Sequence, residues 1–137
     1  MKDMRVTLPL LWVFMLLNYL YCDVLSLMDP ANLKDVLAGH AAGGSVQITP
    51  EFLLVSGVLM EIPMVMILLS RVLGHGASRW ANVGAAAFMV LVQVGSLGVG
   101  TPTSYYLFFS VIEVGTLALI AVLALRWTGP ERGLAAA

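Results

Sequence analysis

Charge is what this sequence has least of. Only 11% of its residues are Asp, Glu, Lys or Arg, against roughly 25% in an ordinary soluble domain. With 60% hydrophobic residues the chain has far too much to bury to be disordered. Seven Lys and Arg against eight Asp and Glu leave no basic surface for a nucleic acid. A lone cysteine, Cys22, makes no disulfide framework. Neither HExxH, CxxC, GxSxG nor a phosphate-cradling glycine loop occurs.

What is present is apolar sequence in long runs, at a mean hydropathy of +0.94. Stretches 8–28, 52–73, 80–99 and 105–127 each approach the roughly 20 residues that a membrane helix needs. Asp29-Pro30 ends the first, because the ring of Pro30 disfavours helix at the residue before it. Thr49-Pro50-Glu51 opens the second with a cap residue, a proline and an acid. Gly74-His75-Gly76 and Gly100-Thr101-Pro102 punctuate the rest, and 74–78 reads as a short turn. The gap 29–51 has room only for a short surface helix near 32–37. The expected fold is therefore all-α: a polytopic membrane protein, one membrane domain over 1–137, folded as a four-transmembrane-helix bundle.

The first stretch follows Lys2 and Arg5, as a signal peptide would. Signal h-regions run only about 7–15 residues; this one is longer and carries Asn18 and Asp23, so it reads as a retained helix. With four crossings, Lys2, Arg5, Arg71, Arg79, Arg126 and Arg132 share one side and Lys34 takes the other. The positive-inside rule then puts both termini in the cytoplasm of a multi-pass protein of the inner (plasma) membrane. Trp12, Trp80 and Trp127 at one end and Tyr105 and Tyr106 at the other are the expected interface belts. His40 and His75 fall in loops on opposite sides, so no metal site is expected.

A charge at mid-bilayer costs at least about 2.5–3.5 kcal/mol on insertion scales, yet the spans contain Asp23, Glu61 and Glu113, with Asn18, Asn82 and Gln93. At about 1.5 Å of rise per residue, Asp23, Glu61, Gln93 and Glu113 lie roughly 8–14 Å below the outer edge. On the first helix Asn18, Tyr19, Cys22, Asp23 and Ser26 fall within about 140° of arc. Asn82, Ala86, Met89, Gln93, Ser96 and Gly100 share about 80° on the third. Tyr106, Phe109, Ser110, Glu113 and Thr116 share about 120° on the fourth. Gly57, Glu61, Met64 and Leu68 align on the second. Four such faces are expected to converge on the bundle axis. Three carboxyls without a counter-cation cannot all be charged in low dielectric; at least one is expected to be protonated near neutral pH, or the site to hold a cation. Asn82 reads instead as an interhelical hydrogen bond, and Cys22 as a small core residue. Pro63 frees a backbone carbonyl near Leu59 and is a candidate kink.

Glu61, the apolar run to Leu69, Ser70-Arg71, the glycine-containing turn and Arg79-Trp80-Ala81-Asn82 resemble the second-to-third helix region of DoxX-like membrane proteins. Those are small four-helix bundles associated with quinone-linked oxidoreductase complexes. The likeness departs at Pro63, where that family has small residues. Over nearly the whole chain, the stretch Asn18-Tyr19-Leu20-Tyr21-Cys22-Asp23 through Asp29-Pro30, then Met60-Glu61-Ile62-Pro63-Met64, and Tyr105-Tyr106 to Glu113 resemble an uncharacterised family of bacterial four-helix membrane proteins. This second resemblance implies the topology and brings no reaction.

The leading expectation is a carboxylate-lined pocket in the outer half of the bilayer that binds, or acts by acid/base chemistry on, a lipophilic or cationic small molecule. Glu61 and Glu113 are the expected acid/base pair with Asp23 and Gln93 orienting; Asn18, Tyr19, Met64, Met89, Tyr106 and Phe109 are the other expected ligand contacts. The alternatives are proton-coupled transport of a small solute, and an accessory subunit of a membrane oxidoreductase complex. The residues name no cofactor, and they leave catalyst and carrier equally open. Apart from membrane lipid, the expected company is a second copy or a membrane-complex partner, packed on Gly84, Ala87, Gly95 and Gly98.

Overall fold

The structure, a computed structural model, describes residues 3–129. Among them the chain forms α1 (Met4–Met28), α2 (Pro30–Leu37), β1 (His40–Ala41), β2 (Val46–Gln47), α3 (Pro50–Val72), α4 (His75–Leu97) and α5 (Ser104–Arg126). α1, α3, α4 and α5 are each long and apolar enough to cross a membrane. The fold is all-α, with the four spans of the sequence reading.

Each boundary has a local cause. Asp3 caps α1, its side chain accepting from the Arg5 N–H. Asp29 both ends α1 and caps α2, accepting from the Ala31 N–H, and Pro30 occupies the first helical position, where no N–H is needed. Thr49 caps α3 through the Phe52 N–H and Thr103 caps α5 through the Tyr106 N–H. Between α2 and α3 the glycine-rich stretch makes a small antiparallel hairpin, with His40 opposite Gln47 and Ala41 opposite Val46. Nothing in the sequence reading foresaw it.

α1 packs against α3 and α5, and α4 packs against the same two, so the spans close into a ring. The apolar core joins Leu8, Trp12 and Met15 of α1 to Met66, Ala86, Met89, Leu117 and Ile120. These residues come from the start of α1, the middle of α4 and the latter halves of α3 and α5. The core therefore fills the half of the bundle nearest the beginning of α1.

Two expectations need correction. α4 begins at His75, so 75–78 is helix rather than turn. The cause is Ser78, which is fully buried one turn below Asn82, where its hydroxyl donates to Ser70 O of α3 at 3.4 Å. Trp12 is no interface residue. It is fully buried, and its Nε1–H donates to Asn82 Oδ1 at 2.7 Å, across the ring from α1 to α4. Trp80 is exposed, with the Arg79 guanidinium 5.7 Å from its ring centroid. Trp127 sets its edge against His75 and accepts a 2.8 Å hydrogen bond from its ring through the backbone carbonyl. Lys2 and Arg132, which entered the charge tally, lie outside the described residues.

Candidate intramembrane binding site

In the other half of the bundle the spans part around a cavity of about 250 Å³. α1 contributes Tyr19, Cys22 and Asp23 to its wall, and α3 contributes Ser56, Leu59 and Met60. α4 adds Val92, Gln93 and Ser96, and α5 adds Tyr106 and Glu113. No residue of α3 before Pro63 is buried, so that wall is one thin helix with its back exposed. Pro63 itself is fully buried and the helix runs through it unbroken. Its missing N–H leaves the carbonyl of Leu59, a wall residue, without the usual helical donor.

Two polar atoms at this wall are buried without any hydrogen-bond partner: Tyr19 Oη and Glu113 Oε1. Glu113 is only 2% exposed. Buried polar groups are normally satisfied, and an orphan costs about 1–3 kcal/mol. Their neighbours are already engaged. Ser96 Oγ donates to Gln93 O at 2.6 Å, so in the 2.7 Å contact with Tyr106 Oη it is the phenol that donates. Gln93 Nε2 donates to Ser110 Oγ at 2.8 Å, whose own proton goes to Tyr106 O. This chain of bonds holds α4 to α5 and fixes Gln93 and Tyr106 without using Tyr19 or Glu113.

Of the residues expected at the site, the structure brings Asp23, Tyr19, Gln93, Tyr106 and Glu113 together at one cavity. Asp23 is exposed on its rim. Asn18 is buried, but its Nδ2 turns back to Phe14 O at 2.8 Å. Met89 lies in the apolar core. Phe109 is half-buried beside Phe108, off the wall. Glu61 and Met64 are exposed and do not reach the cavity. The expected convergence of four polar faces is thus a convergence of three. α3 buries Pro63, Met66 and Ser70, roughly 170° round the helix from Glu61. Ser56, Leu59 and Met60 went unrecognised, although Ser56, Pro63 and Ser70 recur every seventh residue and mark that inward face. Asn82 does what was expected of it: it accepts from Trp12 and Ser70 and donates to Ser78 O, tying three spans together.

The wall carries two carboxyl groups and no Lys, Arg or His. It therefore suits a hydrogen-bond donor or a cation and repels an anion. Among the described residues no three His, Cys, Asp or Glu side chains are placed to hold a metal ion. No curated protein and no solved structure matches the chain. The matching family model makes no DoxX-like assignment, and it agrees in breadth with the whole-chain resemblance to an uncharacterised family. It covers residues 2–133, so the chain belongs to the Family of unknown function (DUF6326).

Proposed function

We propose that the protein binds a small lipophilic molecule in the bilayer, taking its hydrogen-bond-donating or cationic end against Glu113 and Tyr19. The observation that carries this reading is the pair of orphaned buried oxygens at the wall of one cavity. A ligand that satisfies both turns a destabilising arrangement into a binding one. Cavities for drug-sized ligands measure about 300–1,000 Å³; at about 250 Å³ this one takes a smaller molecule or the head of a longer one.

Glu113 in the interior and Asp23 at the rim are two carboxyls in unlike surroundings. That is the arrangement in which one group keeps a proton while the other accepts one. Acid/base chemistry on the ligand would fall to this pair rather than to Glu61. The basic residues Arg5, Arg71, Arg79 and Arg126 gather at the end of the bundle opposite α2, which supports cytoplasmic termini and a cavity in the outer leaflet.

Native mass spectrometry of the detergent-purified protein tests the reading. The expected result is one non-phospholipid adduct per chain. It should persist in Glu61→Gln and disappear in Glu113→Gln combined with Tyr19→Phe. An empty protein, or an adduct indifferent to that pair of substitutions, overturns it.

A further inference from the structure

Glu61 is the central residue of α3, and it faces away from the bundle. No basic side chain occurs between Glu51 and Arg71 to pair with it. Carboxyl groups at that depth turn inward or find a partner, because hydrocarbon offers no hydrogen bond. The residues around it are patterned as well. Leu54, Glu61 and Leu68 recur at every seventh position, and Val58, Val65 and Val72 follow each by four. All six are exposed. A stripe that only faces lipid needs to be apolar and nothing more. Valine at one seam position and leucine at the other is the pattern of a parallel two-stranded coiled coil, and in a membrane a polar side chain in such a seam hydrogen-bonds across it.

We propose that this face of α3 is the seam of a parallel homodimer, in which the two Glu61 carboxyls hydrogen-bond to each other across a twofold axis along the membrane normal. Copies inserted in one membrane share an orientation, so their α3 helices run parallel and bring Glu61 to the same depth. An isologous contact then sets each residue against its own copy. Two carboxyls that face each other can satisfy one another, an O–H of one donating to an oxygen of the other. Gly57, one turn before Glu61, has open space where a side chain would stand and lets the backbones approach. The cavity stays on the opposite face of the same helix, so dimerisation and ligand binding are separate events.

Single cysteines in a Cys22→Ala background, oxidised briefly in native membranes, test the seam. Leu54→Cys, Val65→Cys and Leu68→Cys should give a covalent dimer, and Val111→Cys, exposed on α5, should stay monomeric. Uniform cross-linking, no cross-linking, or a seam conjugate with the mass of another protein overturns the proposal. The carboxyl pair has its own test, dimer dissociation in detergent followed by native mass spectrometry. Glu61→Gln keeps a donor and an acceptor and should hold the dimer, whereas Glu61→Ala should weaken it about tenfold. A dimer unchanged in Glu61→Ala removes the pairing.

Discussion

Asn82 and Glu113 show what the same kind of residue does with and without partners. Every polar atom of the Asn82 amide is bonded: Oδ1 accepts from Trp12 at 2.7 Å and from Ser70 at 3.0 Å, and Nδ2 donates to Ser78 O at 2.8 Å. Removing it strands the buried indole N–H of Trp12, while the Ser70 hydroxyl keeps the Met66 carbonyl as acceptor at 2.6 Å. Asn82→Ala should therefore lower stability by about 1–3 kcal/mol, measured as thermal unfolding in detergent. Trp12→Phe should cost less in that background than alone, since its indole N–H no longer has a partner to lose; additive effects would mean that the bond carries no energy. Glu113 has an unbonded oxygen in equal burial, and for that reason points to a ligand. The sequence made both residues legible, because polar side chains in apolar runs stand out. It made Glu61 equally visible and misled there, since a rule that intramembrane acids face inward does not hold for Glu61, which is exposed on the outer face of α3.

At the scale of the element, the spans were readable almost to their ends because caps and prolines announce them. α1 begins four residues before its apolar run, at Met4, and the start of α4 is a case of tertiary packing overriding a local glycine signal: Gly76 and Ala77 are carried in the helix because Ser78 and Asn82 are buried beyond them. The hairpin was unreadable for the opposite reason. Gly39, Gly43 and Gly44 adopt positive φ, and their sequence gives no periodicity to detect. The hairpin also lies close against a segment distant in sequence. Gly100 in the α4–α5 connection sits at φ +71°, and a Cβ there would stand 2.5 Å from Ala42 O. Gly100→Ala should destabilise the protein by about 1–2 kcal/mol from backbone conformation alone, and the clash adds to it. Gly84→Ala, in open space on α4, should leave the melting temperature near that of the wild type. Equal melting temperatures for the two variants would mean that the hairpin does not rest on that connection.

Across the whole molecule the two halves differ in kind. Near the start of α1 the ring is packed with Trp12, Met15, Met66, Met89 and Leu117 and clamped by Asn82; beneath α2 and the hairpin it opens around Glu113. A closed end and an open end give the bundle a direction, and which membrane leaflet the cavity faces depends on how that direction is set. Arg5, Arg71, Arg79 and Arg126 all lie at the closed end, and Lys34 is on α2 at the open one. Basic residues beside short connections are retained in the cytoplasm. Cysteines placed in a Cys22→Ala background should report this. Ser45→Cys, exposed in the hairpin, should react with a membrane-impermeant maleimide in intact cells, and Ala77→Cys, exposed at the start of α4, only after the membrane is opened. The reverse pattern would turn the cavity towards the cytoplasmic leaflet. The pocket and the α3 seam would both survive that result, because neither depends on which side is out, but the ligand would then have to be a molecule made or delivered inside the cell.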